Sequence, residues 1–320
     1  MSAANTSMHP QARRVLDAII ASGEPPLETL SAAEARRIAD ERVIRTNMPG
    51  EKVGRVEDVV TDGPGGSLRL RVYTPEGGAA STGRGLPVLF YIHGGGWTVG
   101  NLDTHDPQCR HFANAAGCMV VAVDYRLAPE HKFPAAVEDV LAAADWIARE
   151  ARGRGGDPGR VAVGGDSSGG ALSATVAQHL RGRADIRVVL QVLIYPGLDL
   201  RMNTPSYARL RDGYFLTAAK MRWFADHYMR SPADAHDPLA SPGLAEDVSD
   251  LPPVLLLTAG LDPLLDEGVA YAERLRGAGV AVEHVNYEGW PHGFFFWSGT
   301  DAAEDANKRI EAALHRAFGA

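Results

Sequence analysis

The chain has 320 residues, 45% of them hydrophobic and 22% charged, enough to enclose a large core in one α/β domain or two smaller ones. Its formal net charge is −8 with no long run of either sign, so it lacks a basic footprint for a phosphate backbone or anionic lipid, and no nucleic-acid partner is expected. Cys109 and Cys118, the only cysteines, build neither a disulfide framework nor a structural zinc site.

Residues 10–48 read as helices: Val15, Leu16, Ile19 and Ile20 recur at helical spacing, and LSAAEARRIADERV follows the break at Pro25 and Pro26. Asp17 interrupts the apolar part of RRVLDAIIAS and no small-residue cleavage site follows. The segment is therefore read as neither signal peptide nor membrane span, and the expected location is cytoplasmic, without stable membrane association. Near residue 53 the period changes. Leu68, Leu70 and Val72 alternate with Arg69, Arg71 and Tyr73 behind the turn-rich TDGPGG, as one half of a hairpin does. A Gly/Ser/Ala stretch at 77–85 reads as a loop.

The runs PVLFYI, CMVVAV, RVAV, VVLQVLIYP and PPVLLLTA are almost continuously apolar, as strands covered on both faces are. Helix-like segments lie between several of them, which predicts an α/β fold with a mostly parallel central sheet flanked by helices. FPAAVEDVLAAADWIARE is the clearest crossover helix, with Pro134 in its first turn and Val137, Val140, Leu141, Ala144 and Ile147 as its apolar stripe. From 201 to 235 an aromatic-rich helical excursion interrupts the sheet rhythm, and with the N-terminal helices it is expected to cover one end of the sheet. Ile310, Leu314 and Phe318 mark a closing helix.

Two glycine clusters carry the chemistry. Gly165-Asp166-Ser167-Ser168-Gly169 matches G-x-S-x-G between a strand, Val161 to Val163, and a helix with the stripe Leu172, Val176, Leu180. That is the setting of a strained strand-to-helix turn that exposes the central Ser167. Ser168 is out of register, because a motif centred on it would need glycine at 166. The second cluster, YIHGGGWTVG, follows the strand PVLFYI, and consecutive glycines there can aim backbone N–H groups at a developing oxyanion. The N–H of Ser168, at the start of the new helix, is expected as a further donor. His93 heads the loop and is read as bracing it.

A serine hydroxyl needs a base, and the base needs an orienting carboxylate; in chains with this elbow both come later. LDPLLDEG, after the strand PPVLLLTAG, offers Asp262, Asp266 and Glu267. Asp262 comes soonest after the strand and is the candidate; Asp266 and Glu267 read as first-turn acids of a helix, with Asp266 the alternative. His292 in EGWPHGFFFW, among Trp290, Phe294, Phe295, Phe296 and Trp297, is the candidate base. His105, Cys109 and His111 have helical spacing but no further ligand cluster, so no metal site is predicted. GRGGDPGR lacks the G-K-[ST] of a P-loop and neither glycine cluster satisfies G-x-G-x-x-G, so no nucleotide cofactor is implied.

HGGGW, DYRLAPEHKFPAAVEDV, GDSSGG, DPLLDEG and HGF together resemble the hormone-sensitive-lipase-like family of microbial carboxylesterases, which have the α/β-hydrolase fold; the likeness runs from about residue 53 to the end. The resemblance implies Ser167 as nucleophile, Asp262 as acid, His292 as base, Gly95, Gly96 and Ser168 as oxyanion donors, and Gly94 as a turn-forming neighbour. It also implies a cap of residues 1–50 and 201–235 on a core of 51–200 and 236–320. Acyl esters of short to medium chain are the implied substrates, with no cofactor. Amides, formamides or lactones are the alternative, and a non-catalytic ligand-binding role on the same fold is the reading from another class. Trp97 and some of Tyr214, Phe215 and Trp223 are expected to line the pocket. Relatives of this kind commonly form homodimers through the last strand. Such relatives also commonly have alanine where this chain has Ser168.

Overall fold

The computed structural model describes residues 7–78 and 85–319; the loop expected at 77–85 lies largely outside the described residues. The chain opens with helices α1 (Pro10–Ala21) and α2 (Ala32–Thr46). Ser31 and Glu34 close a reciprocal capping box at the start of α2, which is why the helix begins there and not at the Pro25-Pro26 break. The antiparallel hairpin β1 (Arg55–Gly63) and β2 (Gly66–Thr74) then opens the sheet, with the expected inward face of Leu68, Leu70 and Val72 buried.

The remaining elements alternate: β3 (Leu86–Ile92), α3 (Asp106–Ala115), β4 (Met119–Asp124), α4 (Ala135–Glu150), β5 (Gly156–Asp166), α5 (Ser168–Leu180) and β6 (Val188–Ile194). Pro134 stands at the N-cap of α4, one residue outside the first turn where the sequence predicts it. After α6 (Pro205–Arg209) and α7 (Ala218–Tyr228) come β7 (Val254–Leu261), α8 (Leu265–Gly277), β8 (Val282–Pro291) and α9 (Asp301–Phe318). The strands form one eight-stranded sheet in the order β1-β2-β4-β3-β5-β6-β7-β8; β2 is antiparallel to both its neighbours and every other pairing is parallel.

Side-chain alternation divides the core into two layers. Val88, Phe90, Val161 and Val163 point to the face covered by Val140, Ile147, Leu172 and Val176 of α4 and α5. Leu89, Tyr91, Val120 and Ala162 point to the opposite face, covered by Phe112 of α3 and Ile310 and Leu314 of α9. With both faces covered, the central parallel strands can be apolar on both sides, as β3 (LPVLFYI) is throughout and β6 (VVLQVLI) is except at Gln191.

The 201–235 stretch is helical only in pieces. Gly213 has φ +87° and the Thr217 side chain accepts the Lys220 N–H, so the chain turns through 210–217 before α7 starts afresh. Leu27, Ile38 and Ala39 from the N-terminal region pack with Leu216, Met221 and Phe224 and against Val99 of the glycine loop. Arg36 of α2 fastens this layer to the core by donating to the carbonyls of Thr98 and Ala128 and pairing with Glu130. Among the described residues no helix is long and apolar enough to cross a membrane.

Candidate active site

Ser167 stands between the end of β5 and the start of α5 at φ 54°, ψ −119°, a strained backbone conformation for a residue with a side chain. The elbow abuts the end of β3: a Cβ at either Gly165 or Gly169 would collide with the carbonyl oxygen of Ile92. Glycine two residues to each side of Ser167 is therefore a packing requirement.

His292 follows β8 directly. Its Nε2 lies 3.0 Å from Ser167 Oγ and its Nδ1 lies 2.6 Å from Asp262 Oδ2. Asp262 Oδ1 accepts the Leu264 N–H at 3.0 Å, so the carboxylate is held at both oxygens. With Nδ1–H donating to a carboxylate, Nε2 is left to accept from the serine hydroxyl. Tyr195 supports the imidazole from one side, with ring centroids 4.4 Å apart. Asp262 is 1% and His292 6% exposed, so the pair is sheltered from water.

The alternative acids point elsewhere. Asp266 accepts the Ser206 N–H at 2.7 Å and pairs with Arg209, tying α8 to α6. Glu267 accepts the Leu198 N–H at 2.6 Å; burial, with Asp199 and Asp262 close by, pushes its carboxyl well above the usual range. Both fall in the first turn of α8, as the sequence predicts.

Gly94, Gly95 and Gly96 differ in what their N–H groups do. Gly94 N–H donates to Asp166 Oδ1 at 3.1 Å. Those of Gly95 and Gly96, at φ +121° and +58°, meet no acceptor among the described residues. They border the cavity that Ser167, Ser168 and His292 also line. His93 stacks on Tyr125 at 4.2 Å and places Nδ1 2.8 Å from the Gly94 carbonyl. Burial, with His105 close by, lowers its pKa to about 3. The Ser168 hydroxyl is buried with no partner among the described residues.

The cavity encloses about 140 Å³ and its upper wall includes Leu216, Lys220, Met221 and Phe224. Of the expected aromatic wall, Trp97 and Phe215 line it and Tyr214 and Trp223 do not. The phase of α7 turns Trp223 away from the cavity, against the rings of Phe224 and His227. Lys220 donates to the Phe215 carbonyl at 2.7 Å, and burial lowers its ammonium pKa to about 8. Among the described residues no group of three or more His, Cys, Asp or Glu side chains could hold a metal. His111 instead binds Glu51 and Glu311, and Cys109 is buried.

Two residues that sequence reasoning passed over belong to the site. Asp166 is the unspecified second position of G-x-S-x-G, and its only signal is that an acid there is an odd neighbour for an apolar strand. His105 enters the sequence reading only beside Cys109 and His111 as a metal ligand, yet its Nε2 lies 3.1 Å from Asp166 Oδ1.

A sequence model described as "alpha/beta hydrolase fold" matches residues 89–296. The carboxylic ester hydrolase LipN of Mycobacterium tuberculosis is 45% identical over 280 residues, 85% of this chain and 73% of that protein. The ethyl acetate hydrolase of Pseudomonas putida is 40% identical over 272 residues, 84% of this chain and 85% of that protein. The ester hydrolase EH1AB1 from the metagenome of Lake Arreo superposes with a TM-score of 0.92 at 41% identity, covering 98% of this chain and all of that one (100%).

Proposed function

This chain belongs to the hormone-sensitive-lipase-like family of α/β-hydrolase carboxylesterases, and from that premise we propose that it hydrolyses short- to medium-chain acyl esters through an acyl-enzyme on Ser167. The reading rests above all on the two contacts of His292, 3.0 Å to Ser167 Oγ and 2.6 Å to Asp262 Oδ2. As Ser167 Oγ attacks the ester carbonyl carbon, its proton moves to His292 Nε2 and the carbonyl oxygen becomes an oxyanion, held by the N–H groups of Gly95, Gly96 and Ser168. His292 then gives the proton to the departing alcohol. Water adds to the acyl-enzyme by the same route, its proton passing through His292 to Ser167 as the acid leaves. Asp262 keeps the imidazole in the required tautomer and stabilises its charged form.

A cavity of about 140 Å³ walled by Trp97, Phe215 and Met221 favours a small apolar acyl or alcohol group. In this reading residues 1–50 and 201–235 form the cap and 51–200 and 236–320 the catalytic core. A cytoplasmic location accords with two buried free thiols. A homodimer would use β8, an edge strand of the sheet, and sedimentation tests it. The activity is tested by initial rates on p-nitrophenyl esters from acetate to palmitate, with Ser167→Ala alongside. A maximum at short or medium chains that vanishes in the variant is the expected result; inert esters would reject the reading.

A further inference from the structure

Beneath the glycine loop lies a buried carboxylate–imidazole pair with no part in the proton transfers above. Asp166 is 5% exposed, and three donors converge on its Oδ1: the Tyr91 hydroxyl at 3.2 Å, the Gly94 N–H at 3.1 Å and His105 Nε2 at 3.1 Å. A Cβ on Gly94 would fall on this carboxylate, so loop backbone and acid are in direct contact. The first glycine of the loop is thereby fastened to the residue adjoining Ser167.

A bare carboxylate at this place carries the wrong sign, because the same loop has to receive a developing oxyanion in a sheltered cavity. The bonds of His105 supply the opposite charge. Thr104 Oγ1 donates its single hydrogen to the Asn101 carbonyl at 2.8 Å and accepts the Asn101 N–H at 3.0 Å. With that hydrogen on the Asn101 carbonyl, the arrangement that leaves no contact unpaired has His105 Nδ1 donating to Oγ1 at 2.8 Å and Nε2 donating to the carboxylate at 3.1 Å. Both ring nitrogens then carry hydrogen, and the two side chains form an imidazolium–carboxylate pair with no net charge.

The neighbours do not supply this charge. His93 spends Nδ1–H on the Gly94 carbonyl, and its Nε2 has no partner among the described residues, so it is neutral. Asp40, bound to Asn101 Nδ2 at 2.8 Å, is shifted toward its neutral form by burial. Burial also opposes ionisation of Asp166, but the charge and hydrogen bond of His105 outweigh it and hold the acid below its usual range.

We propose that Asp166 and His105 are positioning residues of the oxyanion site: Asp166 anchors the glycine loop to the nucleophile elbow, and His105 cancels the carboxylate charge beneath it. The proposal rests on the serine esterase reading. It makes the two side chains unequal. Removing the charge of His105 exposes a carboxylate beneath the loop, whereas removing the charge of Asp166 leaves no anion there to be cancelled.

The test measures p-nitrophenyl butyrate hydrolysis and inhibition by an aryl trifluoromethyl ketone, which forms a tetrahedral adduct, in the parent, His105→Gln, Asp166→Asn and the double variant. His105→Gln should lower kcat on the order of 10- to 100-fold with KM nearly unchanged, and weaken the ketone by the same factor. Asp166→Asn should cost much less, and adding it to His105→Gln should restore most of the loss. Equal effects of the two single variants, or a double variant no better than His105→Gln, would overturn the proposal. So would an effect confined to KM. Nitrogen NMR on histidine-labelled parent tests the pair without a variant: His105 should show two protonated ring nitrogens near neutral pH, and one protonated nitrogen overturns it. An inert parent would instead count against the esterase reading itself.

Discussion

The ring of Phe224, on α7, rests on the backbone of Gly96 so closely that a methyl group at residue 96 would fall inside it. One residue of the covering layer thus meets one residue of the glycine loop with no room between them. Gly96 also has φ +58°, which a side chain strains. Gly96→Ala should lower kcat by roughly 100-fold or more, since it disturbs an N–H assigned to the oxyanion. Far-UV circular dichroism should be unchanged, and Gly96→Ala/Phe224→Ala should recover part of the rate by making room for the methyl group.

The choice between acids can be decided by substitution. Asp262→Asn should cost on the order of 10⁴ in kcat, because an amide at this place no longer holds the imidazole in the tautomer that accepts from Ser167. Asp266→Ala should leave kcat within a few-fold and instead cost about 1–2 kcal/mol of stability, through the lost bond to the Ser206 N–H. Kinetics and denaturant titration of both variants check this; a large kcat loss in Asp266→Ala would reverse the assignment.

The pocket wall makes a further distinction. Met221 lines the cavity and Trp223 does not. Met221→Ala should move the acyl-chain optimum toward longer esters, while Trp223→Ala should leave the optimum in place and lower thermal stability by exposing Phe224 and His227. A p-nitrophenyl ester series on the two variants measures the shift.

Glu267 makes stability depend on pH. Burial raises its folded-state pKa well above the value of an unfolded chain, so folding retains a proton that unfolding releases at any pH between the two. Its contribution is fully present below the unfolded value and is lost as pH rises through the folded one. Glu267→Gln, neutral at every pH, should match the parent near pH 4.5 and be more stable at neutral and alkaline pH, with a flatter profile. Thermal melts across that range check the sign; a variant less stable than the parent at neutral pH would refute it.

What could be read from the sequence was what neighbouring residues decide. The alternating Leu68, Leu70 and Val72, the apolar runs of the parallel strands and the glycines around Ser167 announce themselves within ten residues or so, because strand period and a tight turn are local constraints. The pair of His105 and Asp166 joins residues 61 apart in the chain, and no local pattern marks it. The direction of Trp223 depends on where α7 begins, which Thr217 sets by capping Lys220 N–H. That start also explains why an aromatic-rich stretch puts Met221 and Phe224, and not its tryptophan, over the cavity.

The central claim is that acyl transfer passes through Ser167, and trapping the intermediate tests it most directly. Parent and Ser167→Ala proteins are mixed with p-nitrophenyl butyrate, quenched in acid during the first turnovers, digested and weighed by mass spectrometry. The parent should release a burst of p-nitrophenol matched by a butyryl group on the peptide containing Ser167, and the variant should show neither. Turnover without that acyl group, or an acyl group that persists in Ser167→Ala, would contradict the account.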